Sequence, residues 1–221
     1  MFIIPCKYVQ NSCIFECVSS IKKYFPNHKI CVVDSKSTTL EYCKYFGNDI
    51  LFLNQQNENF CDGALWKAYE IFQKEKFFYL IHDSMIIKKN FDFVEQYDFH
   101  CISTFPNNSW SSNFNGGISA QKEYVKNSLE NTKFKYLDQN DDWCSIFGIS
   151  FFVSRVLLDE LKKMGLNKCL PKNKMQMEAS ERLWGMCLSQ IGIDPSANSL
   201  MDVPFHMEKN QYIEKKFLRR I

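Results

Sequence analysis

The sequence lacks the glycine-rich loops of the common nucleotide-binding folds. After the first apolar segment, residues 5–11 read PCKYVQN and contain no glycine. This excludes the GxGxxG loop of dinucleotide-binding enzymes, which needs glycine where the backbone approaches the ligand, and it disfavours methyltransferases and nucleotidyltransferases. The sequence also has no GxxxxGK[ST], GxSxG or HExxH motif. P-loop enzymes, hydrolases with a nucleophile elbow and zinc peptidases of the HExxH type are therefore excluded.

Long apolar runs, CxxC pairs and a large net charge are missing as well. No apolar segment approaches membrane-spanning length, and MFII is too short for the apolar part of a signal peptide. The ten cysteines are scattered through apolar segments, so we expect reduced core thiols and a cytoplasmic protein. A net charge of +2 gives no indication of a nucleic-acid partner.

Strand-like and helix-like segments alternate along the first ninety residues. Four short apolar segments read MFIIPC, ICVV, DILFL and KFFYLI. The helical segments between them are NSCIFECVSSIKKYF, capped by Asn11 or Ser12, STTLEYCKYFG, ended by Gly47, and DGALWKAYEIFQKE, opened by Asp62. This alternation is typical of βαβ crossovers. We predict an α/β fold in which a mostly parallel central sheet is flanked by helices and residues 1–221 form a single domain.

Polar side chains follow three of the predicted strands. Ligands of open parallel sheets bind at the carboxyl ends of the strands, so these side chains should line one crevice. They are Pro5, Cys6 and Tyr8, then Asp34 and Ser35, and then His82, Asp83 and Ser84. We expect Asp83 to contact a ligand, because a buried carboxylate without a partner is costly and the following MIIKKN does not begin like a helix. For His82, the alternative is a hydrogen bond to a loop carbonyl.

The order of these motifs resembles the nucleotide-binding half of the GT-A glycosyltransferases. The segments IIP, VVDSKS, ALWKAYE and FFYLIHDSMII follow that family's order, and NFNGGI, SIFGISFFVSRVLLDEL and MEASERLWG resemble its later segments. The resemblance covers nearly the whole chain, and the order of the motifs carries it, since each motif alone is degenerate. It implies a nucleotide-binding half in residues 1–90. Residues 91–221 would then form a donor-sugar and acceptor half with a basic C-terminal tail.

The resemblance also implies roles for individual residues. The nucleotide would contact Pro5, Cys6, Tyr8, Asp34, Ser35, His82 and Asp83. Asp83, with His206 as a late ligand, would bind Mn²⁺ or Mg²⁺, but the second carboxylate of the family's DxD motif is missing here, which leaves metal-independent transfer open. Glu181, or Glu178 in its place, would be the catalytic base of an inverting enzyme. The donor sugar would lie near the loop Asn115, Gly116 and Gly117.

Three further features have both a functional and a structural interpretation. The tail concentrates Lys209, Lys215, Lys216, Arg219 and Arg220; Lys209, Lys216 and Arg219 would contact the nucleotide diphosphate, unless the tail is a solvated terminus. Asp141, Asp142 and Trp143 could bind a sugar face and its hydroxyls, or anchor a loop. Glu178 and Glu181 lie near the predicted start of a helix, where negative charge is stabilising in its own right.

We therefore expect an inverting enzyme that transfers a sugar from a UDP- or GDP-linked donor to a hydroxyl of a glycan or other acceptor. One alternative is a retaining transferase of the same fold, which the anomeric configuration of the product would distinguish. The other is a nucleotide-sugar or glycan-binding module without turnover, which the incomplete DxD motif favours.

Overall fold

The computed structural model describes residues 1–9, 12–54, 58–106, 110, 117–138, 140–200 and 211–215. The α-helices are α1 Ile14–Tyr24, α2 Phe60–Ile71, α3 Gly117–Leu129, α4 Arg155–Met164 and α5 Lys174–Gln190. The strands are β1 Phe2–Cys6, β2 Ile30–Asp34, β3 Ile50–Leu53, β4 Phe77–Leu80, β5 Met85–Ile87, β6 Phe99–Cys101, β7 Thr104–Pro106, β8 Cys144–Ile146, β9 Phe151–Ser154 and β10 Ile213–Lys215. Short 3-10 helices lie at Glu41–Tyr45, Asp92–Gln96, Phe147–Ile149 and Leu166–Lys168.

A six-stranded sheet with the order β3-β2-β1-β4-β9-β6 organises the chain. The pairs β3–β2, β2–β1 and β1–β4 are parallel, whereas β9 runs antiparallel to both β4 and β6. The predicted α/β fold with a mostly parallel central sheet is thus confirmed. Two small antiparallel ladders, β5–β10 and β7–β8, lie beside it. Among the described helices, none combines the length and apolarity needed to cross a membrane.

The central strands are apolar throughout because both faces of the sheet are covered. Ile4 and Val32 pack on one face with α1, while Ile3 and Val33 pack on the other with α2, α4 and α5. Alternate residues of a strand point to opposite faces, so a strand buried on both sides has no polar alternation. This is why the sequence shows these strands as continuous apolar runs.

Two predicted element boundaries are wrong. The segment STTLEYCKYFG forms only a 3-10 helix at Glu41–Tyr45. Asp62 does not open α2, because the residue before that helix is Asn59 and Asp62 lies buried in its first turn. The cap position of α1 is Cys13, which makes no side-chain cap bond; Ser12, one residue earlier, accepts a hydrogen bond from Ile14 N at 3.3 Å, and Asn11 lies outside the described residues.

Helix α5 begins earlier than the sequence suggested. Its cap is Asn173, whose side chain accepts a hydrogen bond from Gln176 N at 2.9 Å. Glu178 and Glu181 therefore lie beyond the first turn, where the helix N-terminus has little influence on their charge. Ser180 and Gly185 both lie inside this helix.

Gly185 allows α5 to pack directly on β8. A methyl group added at Gly185 would lie 2.0 Å from the carbonyl oxygen of Cys144 and 3.1 Å from Ser145 Cα. No side chain fits this contact, so glycine is required by the close approach of helix and strand. The contact fixes α5 against the segment that continues through Gly148 to β9, and this places Glu181 beside the carboxyl ends of the parallel strands.

Candidate functional site

The carboxyl ends of β1, β2 and β4 meet, as the sequence predicted. Cys6 pairs with Asp34 in the β1–β2 ladder. On the other side of β1, Ile81 N donates a hydrogen bond to Ile3 O at 3.1 Å, which brings the residues after β4 alongside. The Cys6 thiol is close to the Asp83 carboxylate, and burial together with that charge raises the thiol pKa. The thiol therefore stays protonated and can donate to Asp83.

Asp34 lies in a buried polar environment and is only 1% exposed. Tyr42 OH donates to its Oδ1 at 3.1 Å, and Ser37 N donates to its Oδ2 at 3.3 Å. Tyr8 stacks on Tyr42, with ring centroids 4.6 Å apart and an interplanar angle of 1°. Ser35 N donates to Cys6 O at 2.8 Å. The hydrogen-bond donors described for the Asp34 carboxylate, Tyr42 OH and Ser37 N, are groups of the protein itself. The role of Asp34 at a nucleobase stays a prediction.

His82 bonds a loop carbonyl, which was the alternative interpretation of this residue. Its Nε2 is in close contact with the carbonyl oxygen of Gly148, and Cys61 Sγ lies 3.6 Å from the same nitrogen. Because a carbonyl oxygen only accepts, this contact assigns the proton to Nε2. The ring therefore joins the end of β4 to the turn between β8 and β9.

Gly148 continues the connection to helix α5. Its N–H donates to Glu181 Oε1 at 2.9 Å, and Arg182 NH1 donates to Glu181 Oε2 at 2.9 Å. Gly148 has φ 72°, a left-handed conformation that glycine adopts without strain. We call His82, Gly148, Glu181 and Arg182 the Gly148 junction. Burial raises the pKa of the Glu181 carboxyl to about 7, although the Arg182 cation and the Gly148 amide both favour its charged form.

Lys215 reaches the same place from the C-terminal strand. Strand β10 pairs with β5, and Lys215 is opposite Met85. A methyl group added at Gly148 would lie 3.8 Å from both Lys215 Nζ and His82 Nε2, so the ammonium group is next to this turn. Burial lowers the pKa of Lys215, while the nearby Cys61, Glu181 and Asp83 act in the opposite direction. This is the one predicted tail cation among residues 211–215; Lys209, Lys216, Arg219 and Arg220 lie outside the described residues.

Few side chains among the described residues could bind a metal ion. No three His, Cys, Asp or Glu side chains in the described ranges converge in a way that could hold a metal ion. Asp83 could supply one hard oxygen ligand, with the remaining positions filled by water and diphosphate oxygens, which Mg²⁺ accepts readily. His206, the other expected ligand, lies outside the described residues.

The acidic segment before β8 lies at the far end of α5. Trp143 is buried, and its Nε1 donates to Asp138 O at 2.8 Å. Asp142 O accepts from Ser189 Oγ at 2.7 Å, and Asp141 Oδ2 accepts from Asp138 N at 2.5 Å. These contacts are those of a loop anchor. Ser189 is eight residues beyond Glu181, roughly 12 Å along the helix.

The predicted donor-sugar loop is described only at its last residue. Gly117 begins α3 with φ 61°. Asn115 and Gly116 lie outside the described residues. Their contribution to a donor site stays a prediction.

Several residues of the site carry no sequence signal. Tyr42, Cys61, Gly148 and Arg182 reach it through contacts that are distant along the chain, and no local motif marks them. Asp62, which the sequence predicts to open α2, is not part of this site and lies buried between α2 and α5. It accepts hydrogen bonds from Trp184 Nε1 at 2.6 Å and Ser180 Oγ at 3.2 Å. We call Asp62, Ser180 and Trp184 the Asp62 junction.

No protein-family model matches this chain, and no curated protein sequence matches it significantly. An interpretation of the site therefore depends on the arrangement of its own residues.

Proposed function

We propose that the protein transfers a sugar from a nucleoside-diphosphate donor, linked to UDP or GDP, to a hydroxyl group of a glycan or other acceptor. The supporting observation is that three elements meet at one edge of the sheet. These are the strand ends with Asp34 and Asp83, helix α5 with Glu181, and strand β10 with Lys215. Ligands of open α/β sheets bind at this edge.

The charges at this edge suit the leaving group and the attacking group of such a transfer. Negative charge builds on the departing diphosphate, and a fixed cation beside it lowers the barrier. Lys215 next to the Gly148 turn is such a cation. The acceptor hydroxyl must lose a proton as it attacks, and a positioned carboxylate can take it. Glu181 and Glu178, three residues apart on α5, are the candidates.

A divalent cation fits this scheme as a partner of Asp83. When bound, it would neutralise charge on the diphosphate. Asp83 is half-buried at the strand end, and the Cys6 thiol is close to its carboxylate.

A second candidate is a nucleotide-sugar-binding module without turnover. The observation in its favour is that both carboxylate oxygens of Glu181 already accept hydrogen bonds within the protein, from Gly148 and Arg182. A base must be able to approach the hydroxyl that it deprotonates. If no other carboxylate serves, the site would bind the donor without activating an acceptor.

A screen of nucleotide sugars by thermal shift, with and without Mn²⁺, tests the proposal. A ligand that binds only the folded protein raises Tm in proportion to the logarithm of its concentration above Kd. We expect stabilisation by UDP- or GDP-sugars, together with release of nucleoside diphosphate when an acceptor is added. Stabilisation without release would support the binding module.

The matched control for this screen is a pair of variants. Asp83→Ala should lose the Tm shift, whereas Asp49→Ala, which removes an exposed carboxylate paired with Lys22, should keep it. If no UDP- or GDP-sugar stabilises the parent protein under either metal condition, the proposal is wrong.

A further inference from the structure

A continuous series of hydrogen bonds joins the end of β4 to helix α5. It runs from His82 Nε2 to Gly148 O, from Gly148 N to Glu181, and from Arg182 to Glu181. One residue, Gly148, thus accepts from the strand end with its carbonyl oxygen and donates to the helix carboxylate with its own N–H. The donor side and the acceptor side of the proposed site are therefore fixed relative to each other through this junction.

Arg182 secures the helix end of the series. Its NH1 also donates to the backbone carbonyl of Glu178 at 2.7 Å, and its guanidinium lies 4.4 Å from the centre of the Phe105 ring. The side chain is 4% exposed. A buried guanidinium with these partners has little freedom to move, so the position of the Glu181 carboxylate is fixed as well.

Glu178 and Glu181 differ in accessibility. Glu181 is 7% exposed, and each of its carboxylate oxygens accepts a hydrogen bond from the protein. Glu178 is half-buried and lies one turn closer to the start of α5. Residues three apart on a helix are neighbours, with Cβ atoms about 5–6 Å apart. Of the two, only Glu178 combines nearness to the junction with access from solvent.

We propose that Glu178 is the carboxylate that deprotonates the acceptor. Glu181 and Arg182 are positioning residues that hold Glu178 in place relative to the strand ends. This inference rests on the proposed function. In the step, the acceptor O–H bond breaks and its proton passes to the Glu178 carboxylate while the acceptor oxygen bonds to the anomeric carbon. The bond from that carbon to the diphosphate breaks, and its electron pair leaves with the diphosphate.

The charged and titratable groups around Glu181 agree with a positioning role. Arg182 and Glu178 belong to its own helix, Lys215 approaches from β10 and Cys61 from α2. Burial also raises the pKa of the Glu178 carboxyl, against the attraction of Lys174 and Arg182.

Kinetics of two Glu→Gln variants separate the roles. Glu178→Gln should lower kcat by about 10²–10⁴ and remove the acidic limb of the pH–rate profile, because an amide cannot accept the proton. Glu181→Gln should lower kcat less and keep that limb, because the base is still present. Glu160→Gln is the matched control: it makes the same substitution at an exposed position of α4 and should behave as the parent. Loss of the limb in Glu181→Gln but not in Glu178→Gln would overturn the assignment.

The Gly148 amide gives a measurement that does not require activity. In the parent its NMR chemical shift should titrate with Glu181, with a midpoint at about pH 7. Arg182→Met removes the cation that favours the charged carboxylate, so the midpoint should rise by about one to three pH units. Arg182→Lys keeps a cation and should shift it less, and Glu181→Gln should abolish the titration.

The outcomes of the two measurements separate the two proposals. A midpoint that is the same in the parent and in a folded Arg182→Met variant would overturn the positioning role. If the amide titration responds as expected but no nucleotide sugar is bound or consumed, the contacts of Glu181 with Arg182 and Gly148 stand, while the proposed function and the assignment of Glu178 as base fail.

Discussion

Helix α5 takes part in two buried polar junctions that are made in different ways. At the Asp62 junction, the carboxylate of α2 meets two neutral donors, the Trp184 indole and the Ser180 hydroxyl. At the Gly148 junction, the carboxylate of Glu181 meets a guanidinium and the backbone of a turn that lies beside His82 and Lys215. The first is enclosed between two helices, whereas the second lies at the edge of the sheet where we propose that the ligand binds. A buried carboxylate is therefore not by itself a sign of function; the elements that surround it decide.

The largest expected effect tests whether the edge of the sheet is functional. Asp83→Ala should reduce turnover by about 10²–10³, the usual loss when a group that stabilises developing charge is removed. Tm should change little, since Asp83 is half-buried at a strand end. Asp62→Asn is the comparison, and it should keep turnover because the Asp62 junction is enclosed between helices. Near-normal kcat/KM in Asp83→Ala would remove the distinction between the two regions.

The next effect concerns the helix that both junctions share. Gly185→Ala should lower the free energy of unfolding by roughly 3 kcal/mol, because the new methyl group overlaps the Cys144 carbonyl and α5 must move away from β8. Gly47→Ala is the control. There the new methyl group would lie 2.6 Å from Asp49 Oδ1 and 3.7 Å from Lys22 Nζ, which are ends of exposed side chains that can move away. The measurement is the midpoint of denaturant unfolding, and equal midpoints for the two variants would contradict the close contact.

A pH effect on stability should follow from the proton that Asp62 holds in the folded state. Burial raises the pKa of Asp62 from 3.8 to about 6, against the stabilising bonds from Trp184 and Ser180. The folded state thus holds this proton more tightly than the unfolded state. The stabilisation is complete below pH 3.8 and is lost as pH rises through about 6, a change of roughly 3 kcal/mol at most.

The geometry gives a reason for the proton on Asp62. The Ser180 hydroxyl has a single hydrogen and two acceptors, Met177 O at 2.7 Å and Asp62 Oδ2 at 3.2 Å. If it donates to Met177, protonated Asp62 can donate to Ser180 in return. Asparagine reproduces this pattern, so Asp62→Asn should lose the part of the pH dependence that Asp62 causes and should be at least as stable as the parent above pH 7. Urea unfolding at pH 5 and pH 8 checks this, and a variant that is much less stable at both values would contradict it.

The smallest effect tests whether Asp34 is a structural carboxylate like Asp62 or a ligand-binding carboxylate like Asp83. Its partners, Tyr42 and the Ser37 amide, are neutral like those of Asp62, but it lies at the same sheet edge as Asp83. Asp34→Ala should weaken binding of free nucleotide and of nucleotide sugar alike by about tenfold, about 1.4 kcal/mol, with less effect on kcat. Tyr42→Phe is the control, because it removes a hydrogen bond to Asp34 but keeps the stacked ring and the Asp34 carboxylate. Unchanged nucleotide affinity by calorimetry would place Asp34 with Asp62, as a structural group.

The sequence allowed the sheet and the meeting of its strand ends to be predicted, because those depend on local patterns. Apolar runs marked β1, β2, β3 and β4, and the parallel arrangement then brought Asp34 and Asp83 to one edge. The sequence also limited His82 to two interpretations, one of which matches its bond to the Gly148 carbonyl.

The rest depended on contacts between distant segments. Asp62 has the residue type and position of a helix cap, and only the packing of α2 on α5 makes it a buried partner of Trp184. Gly185 follows a tryptophan as a turn glycine would, but its role comes from the approach of β8. Arg182 could be a surface residue by sequence, and its burial follows from the positions of Glu181 and Phe105. No local propensity contains this information.

The antiparallel strand β9 also determines how long the nascent chain is exposed to misassembly. Strand β4 lies between β1 and β9, and its residues Phe77–Leu80 pair with Phe151–Ser154 far along the chain. During translation at about 5–20 residues per second, one backbone edge of this aromatic strand waits several seconds for its neighbour. An open apolar edge is a template for pairing with other chains. Ribosome-bound intermediates that end between these two strands are therefore the species in which chaperone binding and aggregation compete most directly.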